Sequence, residues 1–268
     1  MSEWVASARR VGAVVLRHFY LLRRSWPRAL ELVYWPTLTM VIWGFTTTFL
    51  ATNSSWVARA GGVLIYAVLL WEVMFRSQFG VSFSFLEEMW SRNLGNLFVS
   101  PLRPYEWVLS LLVMSFVRVV ISVGPAALLA IPLYHYSVFT LGLPLIAFFV
   151  LLMVMGWAVG LAVVAIILRN GLGAENLAWA AIFILAPVSG IYYPVSVLPH
   201  WLQYVAWALP SAHVFEGMRA VLFQGVFRVD YFVAAVALDA FYLLVGSLTL
   251  LWSFRHARHT GALLQLGE

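Results

Sequence analysis

The sequence predicts an all-α integral membrane protein. It would have six transmembrane helices, an N-terminal amphipathic interface helix and a re-entrant extracytoplasmic segment between spans five and six. Three observations carry this. Hydrophobic residues make up 63% of the 268 and charged residues 10%, whereas a soluble domain is about half apolar and about a quarter charged. The apolar residues fall in runs near 20, the length that crosses hydrocarbon. The 13 Trp and 11 Tyr suit the membrane–water boundary. No composition shift or repeat divides the chain, so residues 1–268 are read as one domain.

The first element is 4–28. Trp4, Ala8, Val11, Val15, Phe19, Leu22 and Trp26 share one helical face, and Arg10, Arg17 and Arg24 recur on the other. At about 100° per residue this is an amphipathic helix. It would lie in the interface with its arginines near anionic membrane lipid, either as an orientation anchor or as a collar that meets a cytoplasmic partner. Spans are expected near 30–50, 62–85, 106–132, 141–168, 175–191 and 231–254. The run 198–209 is too short to cross.

Between spans two and three lies Leu86-Glu87-Glu88-Met89-Trp90-Ser91-Arg92-Asn93-Leu94-Gly95-Asn96-Leu97-Phe98. Its apolar residues have helical spacing, and Pro101 and Pro104 stop it. The stretch 86–101 is therefore read as a short amphipathic helix, suited to a groove on a soluble partner or simply linking two spans. After span five, Pro194, Pro199 and Pro210 break an aromatic stretch that includes Tyr192 and Tyr193. Non-helical backbone at membrane depth must be buried or line a cavity, so the broken stretch 190–203 is a candidate exit gate, the re-entrant segment being read over 192–224, and the plainer alternative is an interfacial aromatic belt.

Arginines orient the chain. Arg9, Arg10, Arg17, Arg23, Arg24, Arg28, Arg92, Arg103, Arg169, Arg255 and Arg258 fall on one side, and only Arg59, Arg219 and Arg228 on the other. The positive-inside rule puts both termini in the cytoplasm. Glu72, Arg76, Arg118 and Asp239 fall inside spans, where charge is costly and usually faces protein or a water-filled path. Glu72 and Arg76 are four apart and can pair. With Arg118 at similar depth, a Glu72–Arg76–Arg118 cluster is expected between spans two and three, fixing helices or facing cargo. Gly156-x-x-x-Gly160 permits close helix approach, within one chain or between two.

Several classes are excluded. The chain has no cysteine, hence no thiolate metal site or cysteine nucleophile. All 16 basic residues are arginine, so the Walker loop, which needs a lysine for the terminal phosphates, cannot be present. No hydrolase or metallopeptidase motif appears. Scattered His200 and His213 suggest no metal set, and nothing reads as a nucleic-acid module. A secondary transporter or channel using the intramembrane charges stays the alternative, though no inverted repeat of broken helices appears.

Taken together these segments resemble the permease subunit of ABC transporters of the type-2 exporter class, over nearly the whole chain. The most specific part is Gly190 to Gln203 with its Tyr193-Pro194 and Leu198-Pro199 steps, continuing through Leu209-Pro210 to an E-G-x-R element at Glu216, Gly217 and Arg219. The stretch from Glu87 with Ser100-Pro101-Leu102 matches the segment ahead of span three. The resemblance implies a coupling helix that meets the ATPase through Glu87, Glu88, Arg92 and Asn93. It implies an extracytoplasmic gate at Tyr192, Tyr193, Pro194, Glu216 and Arg219. It also implies a second permease copy or a paralogue, and a separate cytoplasmic ATP-binding subunit holding ATP and Mg, with no cofactor on this chain. The lysine-free composition suggests a GC-rich bacterium, and the place expected is the inner membrane.

Overall fold

The computed structural model describes residues 3–53, 55–135 and 137–260. The remaining residues lie outside the description, as do the side chains of Arg59, Phe98 and Arg258, which entered the reading above. Among the described residues the structure is helical: α1 (Glu3–Arg24), α2 (Trp26–Asn53), α3 (Ser55–Trp90), α4 (Leu94–Val99), α5 (Pro104–Tyr134), α6 (Leu143–Asn170), α7 (Leu177–Leu185), α8 (His200–Trp207), α9 (Pro210–Gln224) and α10 (Val229–Thr260).

Local chemistry sets several boundaries. α5 opens on Pro104, whose missing N–H costs nothing at a helix start, and the Glu106 carboxylate accepts the Arg103 amide at 2.9 Å. α6 lies between Gly142 and Gly171, both at positive φ, where glycine carries no Cβ penalty. The expected single helix over 86–98 is instead split. α3 runs on to Trp90, Arg92 turns the chain at φ 52°, and α4 starts afresh after Asn93. Leu86, Met89 and Leu94 are all buried, so burial of the apolar face on both sides of the turn replaces one continuous helix.

α3 is the axis of the bundle, packing against α2, α5, α6 and α7. Its contact with α6 is close because Gly156 and Gly160 carry no side chain. A Cβ at Gly156 would stand 2.6 Å from the Met74 carbonyl oxygen, and one at Gly160 3.0 Å from that of Gln78. α10 meets α6 in the same way, where a Cβ at Gly246 would lie 2.7 Å from the Ala158 carbonyl. The G-x-x-x-G pair thus serves a contact within the chain. Polar side chains tie the helices inside this apolar core. Ser115 donates to the Ser77 carbonyl at 2.7 Å, and Gln78 to the Ala178 carbonyl at 3.1 Å.

Among the described residues, four helices are long and apolar enough to cross a membrane: Gly62–Trp90, Pro104–Tyr134, Leu143–Asn170 and Val229–Ala257. These coincide with expected spans two, three, four and six. α2, at the first expected span, has 28 residues but is diluted by Arg28, Glu31 and five threonines from Thr37 to Thr48. The fifth expected span is a nine-residue helix, α7, flanked by 3-10 turns. With those turns the apolar helical stretch runs over Leu172–Val188, shorter than the four and at the lower end of the lengths that cross the hydrocarbon core.

Residues 192–224 form a helical hairpin of α8 and α9, with positive-φ Gly190 and Gly225 on either side. α9 packs on α6 and α10. At the hairpin tip the Ala208 carbonyl accepts the Tyr242 hydroxyl at 3.0 Å. Tyr242 lies 13 residues beyond Val229, about 20 Å along α10, so the tip sits beside the body of that helix and not at its end.

Candidate functional site

Three constructions bear on function: a cavity, an ion-pair clasp at one end of the bundle, and a knot that holds the broken segment.

The cavity measures about 380 Å³. α2 contributes Arg28, Glu31, Trp35 and Thr39, α3 contributes Trp71 to Glu87, α5 contributes Arg118, and α7 contributes Trp179 and Phe183. Tyr192 closes one end. One wall is built of rings. Phe75, Phe79 and Phe83 repeat every four residues on α3, with neighbouring centroids 5.9 and 4.7 Å apart, and Trp179 joins Phe79 at 4.4 Å. Tyr192 stacks on Trp43 of α2 at 4.8 Å. Burial, with the Glu72 carboxylate nearby, holds its phenol above the ordinary range.

The expected charge cluster is divided. Arg76 donates to Glu72 at 3.0 Å, while Arg118 donates to Glu87 at 2.8 Å and joins a second pair. The reason is helix direction. Side chains lean toward the N-terminus of their own helix, and α3 and α5 are consecutive spans running in opposite senses. Arg118 therefore leans away from Arg76 and toward Glu87, which leans to meet it. All four groups still line the one cavity. Asp239, on α10, is buried elsewhere, and neither carboxylate oxygen has a partner among the described residues.

The clasp begins one residue further on. Glu88 is fully buried at 0% exposure. Its carboxylate accepts Arg17 of α1 at 2.5 and 2.7 Å and the Asn93 amide at 2.7 Å. Buried His18 stands 3.3 Å away. Glu87 accepts Arg118 and, at 3.5 Å, Arg28 of α2. Arg10 of α1 makes a bidentate pair with Glu106 at 2.5 and 2.8 Å, a geometry that is strong and orienting and holds the Arg10 guanidinium above its ordinary range. Of the heptad arginines, Arg10 and Arg17 thus face protein, while Trp4, Phe19 and Trp26 are exposed. Of the four residues expected to meet an ATPase, Glu87 and Glu88 face inward, Asn93 is half-buried at the head of α4, and Arg92 is exposed. The partners Arg17, His18 and Arg28 went unread, because pairing across 59 to 71 residues leaves no local signal.

The knot is built by Arg219 of α9. Its guanidinium donates to the carbonyls of Gly190, Ile191 and Tyr193, while Glu216 accepts the Val195 amide at 2.7 Å and lies 3.2 Å from Arg219. Carbonyls and an amide that the broken helix leaves without partners are thus satisfied by two side chains, as buried backbone requires. Pro194 turns this segment into the 3-10 turn Val195–Val197.

Residues 11–223 match the family model described as ABC-2 type transporter. The chain belongs to the ABC-2 type transporter family. A comparison with curated proteins finds no match. The matched stretch runs from Val11 in α1 to Phe223 in α9, so it takes in the cavity, the knot and all of the clasp but Arg10. With its long apolar helices, this ABC-2 chain is a multi-pass membrane protein and an ABC transporter permease.

Proposed function

We propose that this permease is the membrane-spanning half of an ATP-driven exporter in a bacterial inner membrane, with both termini cytoplasmic. It works as a pair of permease copies, or with a paralogue, and a separate cytoplasmic subunit carries the ATP and Mg. The observation that carries the reading is the clasp. The short helix α4 and the exposed Arg92 sit at the arginine-rich end of the bundle, bonded through Glu88 to the helix α1 that bears five of those arginines. Positive residues gather on the cytoplasmic side, so this end faces the compartment that holds ATP.

On this reading Arg92 and α4 offer the docking surface, and Glu87, Glu88 and Asn93 hold it in place. Closure of the ATPase dimer would press on α4. The aromatic cavity would hold an apolar or amphiphilic cargo, and the re-entrant hairpin with Tyr192, Tyr193, Pro194, Glu216 and Arg219 would form the outer gate.

The test is a mild-detergent pull-down of tagged protein from its native host, followed by mass spectrometry and an ATPase assay. A stoichiometric soluble protein with a Walker loop is expected. Arg92→Glu should weaken its retention, and Glu31→Gln, exposed at the cavity rim, should leave it unchanged. A clean preparation without ATPase that still moves ions or solutes in liposomes would sink the reading in favour of a secondary transporter.

A further inference from the structure

We propose that the adjacent carboxylates Glu87 and Glu88 are positioning residues that transmit between α4 and the cavity. They rest on the proposed function only in taking α4 as the ATPase-facing element. Each carboxylate holds different partners. Glu88 bonds Asn93, at the head of α4, and Arg17 of α1. Glu87 bonds Arg118 and reaches Arg28, and both of these line the cavity with it.

The two glutamates are consecutive on the last turns of α3, and both are buried, at 9% and 0% exposure. Helical neighbours point about 100° apart, so one faces α1 and the turn into α4 while the other faces α2 and α5. A single peptide unit of the helix joins them, and it cannot stretch. A displacement of Asn93 is therefore carried to the Glu87 carboxylate as a rotation of the end of α3. That rotation changes how Glu87 is shared between Arg118 and Arg28.

This division is the element with two arrangements. Glu87 holds Arg118 at 2.8 Å and Arg28 at 3.5 Å, so one guanidinium is engaged and the other waits at the edge of contact. Turning Glu87 toward Arg28 would draw in α2 and release Arg118, altering the cavity from both sides. Coupling between sites is reciprocal. Filling the cavity must then be felt at α4, which makes the same pair of glutamates the sensor of cargo.

The chain has no cysteine, so one engineered thiol reports without background. Leu32 lines the cavity one turn beyond Arg28. Leu32→Cys protein in lipid nanodiscs is reacted with a maleimide, and the rate is compared with and without Asn93→Ala. A change of about five-fold or more is expected, the lower end of typical coupling. In a Glu87→Gln background, and in a Glu88→Gln background, Asn93→Ala should change nothing. Ser100→Ala, at the far end of α4, should leave the rate alone. In the reverse direction, Arg118→Gln should alter the labelling of an Asn96→Cys thiol on α4, and Glu88→Gln should abolish that effect.

An Asn93→Ala response that survives loss of the Glu87 carboxylate would overturn the link, as would no response at all. If Glu88→Gln does not fold, the Glu87→Gln series and the melting temperature of each variant decide alone. None of these measurements needs the ATPase. A missing ATPase in the pull-down would count against the proposed function while leaving this result standing, and a bound ATPase with no coupling would do the opposite.

Discussion

At the scale of single residues, the buried charges divide by what they satisfy. Arg76 pairs with Glu72 and Arg118 with Glu87, leaving the buried Arg118 Nε without a partner among the described residues, and Arg219 satisfies backbone. Burying a charge is tolerated when its hydrogen bonds are made, and removing one partner of such a group is costly. Arg219→Met should therefore destabilise the protein by about 3 kcal/mol, read as a lowered melting temperature. Hydrogen exchange should locate the damage, with amides 190–197 losing protection while those of α6 keep theirs. Undiminished protection at Val195 would show that the knot is not what holds the segment. Sequence alone picked out Glu216 and Arg219 by resemblance, and Glu72–Arg76 by spacing. It paired Arg118 wrongly, because the lean of side chains on antiparallel helices moves the contact more than ten residues along α3.

At the scale of elements, periodicity located α1, α5, α6 and α10 well, since long apolar runs admit little else. It misjudged the stretch after span two, where the helical spacing of Leu86 to Leu97 is real but belongs to two helices joined by left-handed Arg92. At the fifth expected span it gave one continuous helix, where the structure has the shorter stretch Leu172–Val188 with α7 between 3-10 turns, because hydrophobicity does not say where a helix stops. The glycines show how local context decides an element's tolerance. Gly156→Ala drives a methyl into the Met74 carbonyl on α3, and overpacking of this kind costs about 1–3 kcal/mol. Gly12→Ala on α1 meets nothing within 4 Å and should gain about 0.5–1 kcal/mol from helix propensity. The two variants should shift the melting temperature in opposite directions. A shift of the same sign would mean that α3 and α6 are not in backbone contact.

At the scale of the whole molecule, the cavity joins regions that the sequence lists far apart. Arg28 and Arg118 lie toward the clasp, and Tyr192 lies at the other end, on the chain that the knot fixes. The stack of Trp43 on Tyr192 is where α2 meets that chain. On the proposed function this contact has to part for cargo to leave. A Trp43→Cys/Tyr192→Cys disulfide should then stop productive turnover of the complex isolated with its ATPase, and reduction should restore it. Full activity in the oxidised form would place the exit elsewhere.

The close glycine contacts described earlier also decide which part of the protein moves. Where Gly156, Gly160 and Gly246 bring backbones together, only short side chains such as Ser77 and Val81 lie between, so the middles of α3, α6 and α10 shift as one piece or not at all. α2 and α7 border the cavity through long rings and arginines, which change rotamer easily. On the proposed function the packed middles of these three helices are a stator, and the stroke falls to the two walls that face them, with the end of α3 beyond Val81 left to turn.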